Sequence, residues 1–207
     1  MSNEAFREFL KRDKLPRKHP VTSEWTKTKP DPVPVSNLHL QLVAPPKQSV
    51  QDLAGTITDP SACIVQIRNR LPLEMTHPRF YCCYGKCISP PLDIGLGCSG
   101  TFAFSHTSPL VSGLFSYRIQ EKFLWVLYSS YEDRNFFSLA ITPTDLTIGV
   151  ELFVSMATTQ DWRHKPDKDF LWAKKGSLTI QSENLLVSGK MTSDVRSILE
   201  IEMSSSL

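Results

Sequence analysis

Short apolar runs separated by polar breaks recur along most of the chain. The clearest two extend over Val111–Tyr117 and Phe123–Ser130, with Gln120-Glu121-Lys122 between them. Each run has the length of a strand and is rich in aromatic and β-branched side chains. Because the break is short enough for a hairpin loop, the pattern predicts a β-hairpin at the centre of the chain.

Further strand-length runs flank this hairpin. They cover residues 63–68, 80–84, 101–105, 137–142, 178–181, 185–191 and 197–203. Residues 147–153 fit either a strand or the beginning of a helix. About ten short strands with one or two helices are typical of a β-sandwich with helices packed on its faces. The expected core includes Phe102, Phe104, Leu114, Leu124, Val126, Ile201 and either Ile198 or its neighbour Leu199.

The beginning of the chain has no such pattern. A basic cluster and alternating prolines favour an extended path there and predict a disordered basic, proline-rich extension over residues 1–36. A short amphipathic helix with a basic patch for anionic lipid is the alternative for residues 4–18. Residues 37–60 read as a linker with a short strand at 38–43 and a helical turn that Ser49 caps. The sandwich is then expected over residues 61–204.

Composition narrows the function classes. The chain has 207 residues and a net charge of +2, which suits one domain plus an extension and gives no electrostatic reason to expect nucleic acid. A Gly-x-Gly-x-x-Gly string runs from Gly95 to Gly100, but it follows two prolines and leads into a strand. It therefore lacks the strand–helix context of a dinucleotide site. We expect no enzyme activity and no cofactor.

The cysteines are five in number: Cys63, Cys82, Cys83, Cys87 and Cys98. An odd number in a chain whose first residues are too charged for a signal peptide predicts reduced thiols and a cytoplasmic or peripheral membrane location, or secretion if the sequence is a mature form. The closely spaced cysteines raise the question of a zinc site. Adjacent residues on a strand point to opposite faces, so we expect no metal.

Three stretches carry a family resemblance. They are Asn69 to Pro91, with Thr76-x-Pro78-Arg79-x-Tyr81; Gly113 to Ser138, ending in Asn-Phe-Phe-Ser; and Leu185 to Met203, with Gly189-x-Met191. Their order and content resemble the actinoporin-like cytolysins, the pore-forming toxins of sea anemones and their vertebrate and moss relatives. The resemblance implies a mainly β, actinoporin-like sandwich with one or two short flanking helices, one of them at residues 151–157.

The resemblance also implies a ligand. In this family a lipid choline headgroup lies among aromatic rings and hydroxyl groups, which attract its cation and bind its phosphate. The matching lipid-headgroup candidates here are Tyr84, Ser112, Ser129, Tyr131, Phe136 and Phe137. The implied function is weak binding of phosphocholine or sphingomyelin headgroups, with homo-oligomers on membranes. The aromatic residues after Ser129 could instead plug the end of the core.

One departure from the family concerns pore formation. The toxins' pore-lining helix corresponds to residues 50–60, a short segment that contains Gly55 and stops at Pro60. A bilayer core about 30 Å thick requires roughly 20 helical residues. We therefore predict little or no lysis. The alternative function is an intracellular protein-interaction β-sandwich that has lost lipid binding.

Overall fold

A computed structural model describes residues 49–131, 135–158, 171–174 and 176–206, with the backbone alone for residues 158, 171–174 and 176. The predicted extension at 1–36 and the predicted strand at 38–43 lie outside these ranges. The described elements are α1 (Val50–Thr56), β1 (Ser61–Asn69), β2 (Thr76–Tyr84), β3 (Lys86–Ser89), β4 (Ser99–His106), β5 (Leu110–Ile119), β6 (Lys122–Tyr131), β7 (Phe136–Thr142), α2 (Val150–Thr158), β8 (Leu171–Lys174), β9 (Gly176–Ser182), β10 (Leu185–Met191) and β11 (Arg196–Ser205).

The strands form two sheets. One has six strands in the order β3-β4-β1-β11-β10-β9, and the other has five in the order β2-β5-β6-β7-β8. The chain crosses from the second sheet to the first at Gly85, whose φ is +100°. A side chain there would meet the Ser105 carbonyl oxygen at 2.5 Å. Only glycine suits this corner, because it adopts positive φ freely and leaves room for the neighbouring strand.

The core lies between the two sheets. Phe102, Phe104, Leu124 and Val126 are fully buried in one cluster with Leu199 and Ile201, as the strand pattern predicts. Of the two adjacent candidates, Leu199 and not Ile198 enters the core between the sheets. Ile198 faces the other side of β11 and packs against α1. This alternation decides which of two adjacent apolar residues enters the core.

A second cluster covers the outer face of the five-stranded sheet. Helix α2 lays Leu152, Phe153 and Met156 on this face. Beneath them lie Leu114, Trp125, Leu127 and Ala140. The segment that fitted either a strand or a helix therefore becomes a helix from Val150 onward. Leu114 is buried as predicted, but on this outer face and not between the sheets.

Helix α1 covers the outer face of the six-stranded sheet. Ser49 is its N-cap: the Ser49 hydroxyl accepts a hydrogen bond from the Asp52 amide, and the Asp52 carboxylate accepts one from the Ser49 amide. This reciprocal pair is a capping box and confirms the predicted cap. Val50 and Leu53 are the buried face of the helix. With seven residues, α1 is about 10 Å long.

Two strands were not predicted. β3 and β8 both lie outside the strand-length runs that the sequence pattern singles out. Each has four residues, too few to show an alternating pattern. Within the described part of the chain, no helix combines the length and apolar character that crossing a membrane requires.

Candidate functional site

Four of the six candidate residues line up across the five-stranded sheet. Tyr84 pairs with Ser112, Ser112 with Ser129, and Ser129 with Phe136. Directly paired residues in a regular ladder point to the same face of a sheet, so Ser112, Ser129 and Phe136 share one face. Tyr84 pairs with Ser112 beside a β-bulge between Cys82 and Tyr84 and lies at the same end of the sheet. We call these four residues the cross-strand row. Its register continues to Lys174 on β8, a position that the sequence did not single out.

The row lies on the outer face of the sheet, at the end where β6 finishes and β7 begins. Phe136 belongs to the cluster under α2. Leu114 and Leu127 of the same cluster are two residues from Ser112 and Ser129, so side-chain alternation puts both serines on that face. The strands therefore bring together residues that are more than fifty positions apart in the sequence.

Most of the row is covered. Ser112 and Ser129 are each 2% exposed, and Phe136 is 8% exposed. The Ser112 hydroxyl donates a hydrogen bond to the Tyr128 carbonyl oxygen at 3.0 Å. Tyr84 alone in the row is half-buried, and the Tyr84 hydroxyl oxygen is itself buried. The row is thus mostly covered.

Tyr131 lies one step further toward the same end. It pairs with Leu110, is half-buried, and follows Ser129 by two positions, so it shares the outer face. Its amide donates a hydrogen bond to the Asn135 side-chain oxygen at 3.1 Å. Tyr84 and Tyr131 are therefore the two candidate aromatic residues with exposed surface.

Phe137 occupies the opposite face. It is 1% exposed and belongs to the cluster between the sheets. A Cβ added at Gly189 would lie 2.7 Å from the Phe137 ring, so β10 leaves space for that ring. The burial of Phe136 and Phe137 favours the alternative in which this aromatic pair plugs the core, one ring on each side of the sheet.

Helix α2 borders the row. Phe153 is fully buried and its ring centroid lies 6.4 Å from that of Tyr81. Val150 is 41% exposed at the start of the helix, and Val154 is half-buried. All three of these helix side chains beside the row are apolar and carry no hydroxyl group.

The cysteines near the row are free thiols. Cys82 packs against the cluster between the sheets and Cys83 against the outer cluster, the opposed placement expected of adjacent strand residues. Burial raises the pKa of Cys82 to about 11 and the pKa values of Cys63, Cys83 and Cys87 to about 12. Among the described residues, no group of three or more His, Cys, Asp or Glu side chains could hold a metal ion.

These thiols predict a loss of stability at alkaline pH. A buried thiol stays neutral in the folded chain but ionises near pH 8.5 once the chain is unfolded. Its contribution to the free energy of unfolding is therefore complete below about pH 8.5 and is lost as the pH rises toward 12. For fully buried Cys63 the free energy of unfolding should fall by about 1.4 kcal/mol per pH unit above pH 9. Urea titrations at pH 7.5 and 10.5 measure the change. Cys63→Ala should flatten the slope; an equal slope in both chains would contradict the assignment.

Comparisons with known proteins give a fold match. No protein-family model and no curated protein matches the chain. Among solved structures, it is similar to the crystal structure of the lipid binding protein Nakanori, with a TM-score of 0.52 and 10% identity over 75% of this chain and 76% of that one. At this identity the similarity shows the fold alone. The predicted mainly β sandwich with short flanking helices is thereby confirmed.

Proposed function

We propose that this protein binds choline-containing lipid headgroups at a membrane surface, at the end of the sandwich marked by the cross-strand row and Tyr131. The observation that carries the proposal is the register that aligns Tyr84, Ser112, Ser129 and Phe136 across one end of the five-stranded sheet. The resemblance assigns these positions to headgroup binding without reference to strand register. Nakanori, which has the same fold, is a lipid binding protein.

The expected strength of the contact between a choline group and the tyrosine rings depends on how exposed those rings are. A quaternary ammonium is attracted to an aromatic face by about 0.5–1 kcal/mol at an exposed site and about 2 kcal/mol when desolvated. Tyr84 and Tyr131 offer such rings at half-buried positions. The Ser112 hydroxyl already donates to a backbone carbonyl, so a phosphate would have to compete for it. We therefore expect binding weaker than that of the toxins.

The tyrosines provide the test. Tyr84→Ala with Tyr131→Ala should weaken binding to sphingomyelin vesicles by at least about tenfold, because two ring contacts are lost. Vesicle sedimentation measures the affinity, and circular dichroism verifies that the variant is folded. Phe123→Ala is the matched control: it removes a half-buried ring from the opposite end of the same sheet and should leave binding unchanged. Undiminished binding by the double variant would show that this end is not the lipid site.

We also propose that this protein causes little or no lysis of the membranes to which it binds. The segment that corresponds to the toxins' pore helix is α1, about 10 Å long against a bilayer core of about 30 Å. Its apolar residues Val50 and Leu53 are packed on the six-stranded sheet. Dye-loaded sphingomyelin vesicles should therefore stay intact at micromolar protein. Rapid dye release would contradict this part of the proposal and direct attention to the residues before Ser49.

The alternative is a protein-interaction sandwich. The observation in its favour is a stretch of nine residues with three exposed large apolar side chains, Ile88, Leu92 and Leu96, at 38%, 67% and 55% exposure. Exposed apolar groups close together mark interaction surfaces. Absence of vesicle binding by the wild-type chain, with self-association or partner binding lost in Leu92→Asp, would favour this alternative.

A further inference from the structure

One buried amide joins the two sheets beside Tyr131. Asn135 is 3% exposed and follows β6. Its nitrogen donates to the carbonyl oxygens of Thr192 and Asp194, at 2.9 and 2.6 Å. Its oxygen accepts from the Ser130 hydroxyl and the Tyr131 amide, at 3.0 and 3.1 Å. The β6–β7 connection and the β10–β11 turn are therefore held together by a single side chain with every amide proton used.

We take the β10–β11 turn as residues 192–195 together with Arg196, the first residue of β11, and further hydrogen bonds restrain it. The Val195 carbonyl oxygen accepts from the Ala62 amide at 3.3 Å. It also lies 3.3 Å from the Ser130 hydroxyl oxygen, whose single proton is directed to Asn135 at the shorter distance. Thr192 and Ile198 exchange two hydrogen bonds, through the Thr192 amide and the Thr192 hydroxyl. Hydrogen bonds at both ends and from Asn135 therefore restrain the backbone of the turn.

The same turn exposes all five of its side chains. Val195 is 40% exposed, and Arg196 beside it is exposed as well. An apolar side chain on a fixed backbone loses little conformational entropy when it enters an interface. Val195 lies between two exposed charged residues, Asp194 and Arg196, and the Arg196 guanidinium suits the phosphate layer of a membrane.

We propose that the β10–β11 turn is a second lipid-contacting element, with Val195 entering the headgroup region and Asn135 as the residue that positions it beside Tyr131. The occupant is a lipid surface because Asn135 ties this turn directly to the backbone of Tyr131. The inference rests on the proposed function and extends it: the contact surface spans the ends of both sheets. The family resemblance assigns no site residue to this turn.

The test replaces Val195 with a charged residue in one variant and with a larger apolar residue in another. Val195→Asp should weaken binding to sphingomyelin and phosphatidylcholine vesicles by about three- to tenfold, because an apolar contact is replaced by a hydrated charge. Val195→Leu should strengthen binding by about twofold to threefold through added apolar area. The matched control is Leu96→Asp. Leu96 is 55% exposed and lines an open cavity with Arg118 and Gln120 at the opposite end, so its change should leave vesicle binding as in the wild type.

Each outcome distinguishes the two proposals. Vesicle binding that is lost in the Tyr84/Tyr131 variant but unchanged in Val195→Asp and Val195→Leu overturns the role of the turn and leaves the proposed function standing. An equal loss in Leu96→Asp and Val195→Asp also overturns it, because a charge at either end would then act nonspecifically. Absence of wild-type binding overturns the proposed function itself. Opposite effects of Asp and Leu at position 195, with an unaffected control, support the inference.

Discussion

Replacing Trp125 with alanine is expected to lower the free energy of unfolding by about 3–5 kcal/mol. Trp125 is fully buried under α2. Its indole nitrogen donates to the Thr142 hydroxyl at 2.8 Å. The Arg79 guanidinium lies 5.1 Å from the Trp125 ring centroid and forms an ion pair with Asp145 at 2.6 Å. Removal of the indole leaves a cavity and also withdraws the ring on which Arg79 rests.

Urea unfolding followed by far-UV circular dichroism measures this loss. Trp125→Phe is the matched control, because it keeps an aromatic ring beneath Arg79 while it removes the hydrogen bond to Thr142. We expect a loss of about 1–2 kcal/mol for that variant, the cost of one lost hydrogen bond and a smaller ring. The Thr142 hydroxyl keeps its own bond to the Thr144 carbonyl oxygen. A loss below about 1 kcal/mol for Trp125→Ala would show that Trp125 is not packed beneath α2 as described.

Gly113→Ala is expected to have the second-largest effect, at the upper end of the roughly 1–3 kcal/mol typical of overpacked sites. A Cβ at this position would collide with the Tyr81 carbonyl oxygen and would lie 2.6 Å from the Tyr128 hydroxyl oxygen. The carbonyl belongs to β2, which pairs with β5 along this stretch, so it cannot move without disturbing the sheet. Tyr128 is fully buried and stacks on Phe104 at 4.6 Å.

Gly55→Ala is the control for this second variant. Gly55 lies in α1, and a Cβ there would meet nothing within 4 Å. Because alanine is the better helix former, this substitution should stabilise the chain by about 0.5–1 kcal/mol. Thermal midpoints should therefore shift in opposite directions for the two glycines. A neutral Gly113→Ala would mean that β2 and β5 are not packed as described.

The hydrophobic pattern of the sequence was sufficient to predict the positions of the long strands. The central hairpin was predicted within two residues at each end, because two apolar runs of strand length frame one short polar break. The order in which the strands pair within each sheet could not be predicted from the sequence. Strand β1 pairs in parallel with β11, about 130 residues later, and no local pattern in either strand specifies that partner.

The candidate site was predicted by resemblance and only partly resolved by pattern. Phe136 and Phe137 were treated as a pair because the resemblance assigns both to one headgroup site. They lie in β7, where adjacent side chains point to opposite faces, so one ring enters each cluster. The Asn135 bridge was not predictable, since its carbonyl partners lie 57 and 59 positions away.

The central claim is recognition of choline headgroups, and one measurement tests it most directly. Wild-type protein is sedimented with vesicles of sphingomyelin and phosphatidylcholine, and with matched vesicles in which phosphatidylethanolamine replaces both. The second set lacks the quaternary ammonium that aromatic rings attract. We predict binding to the first set and at least about tenfold weaker binding to the second. Equal binding to both sets, or none to either, would contradict the claim.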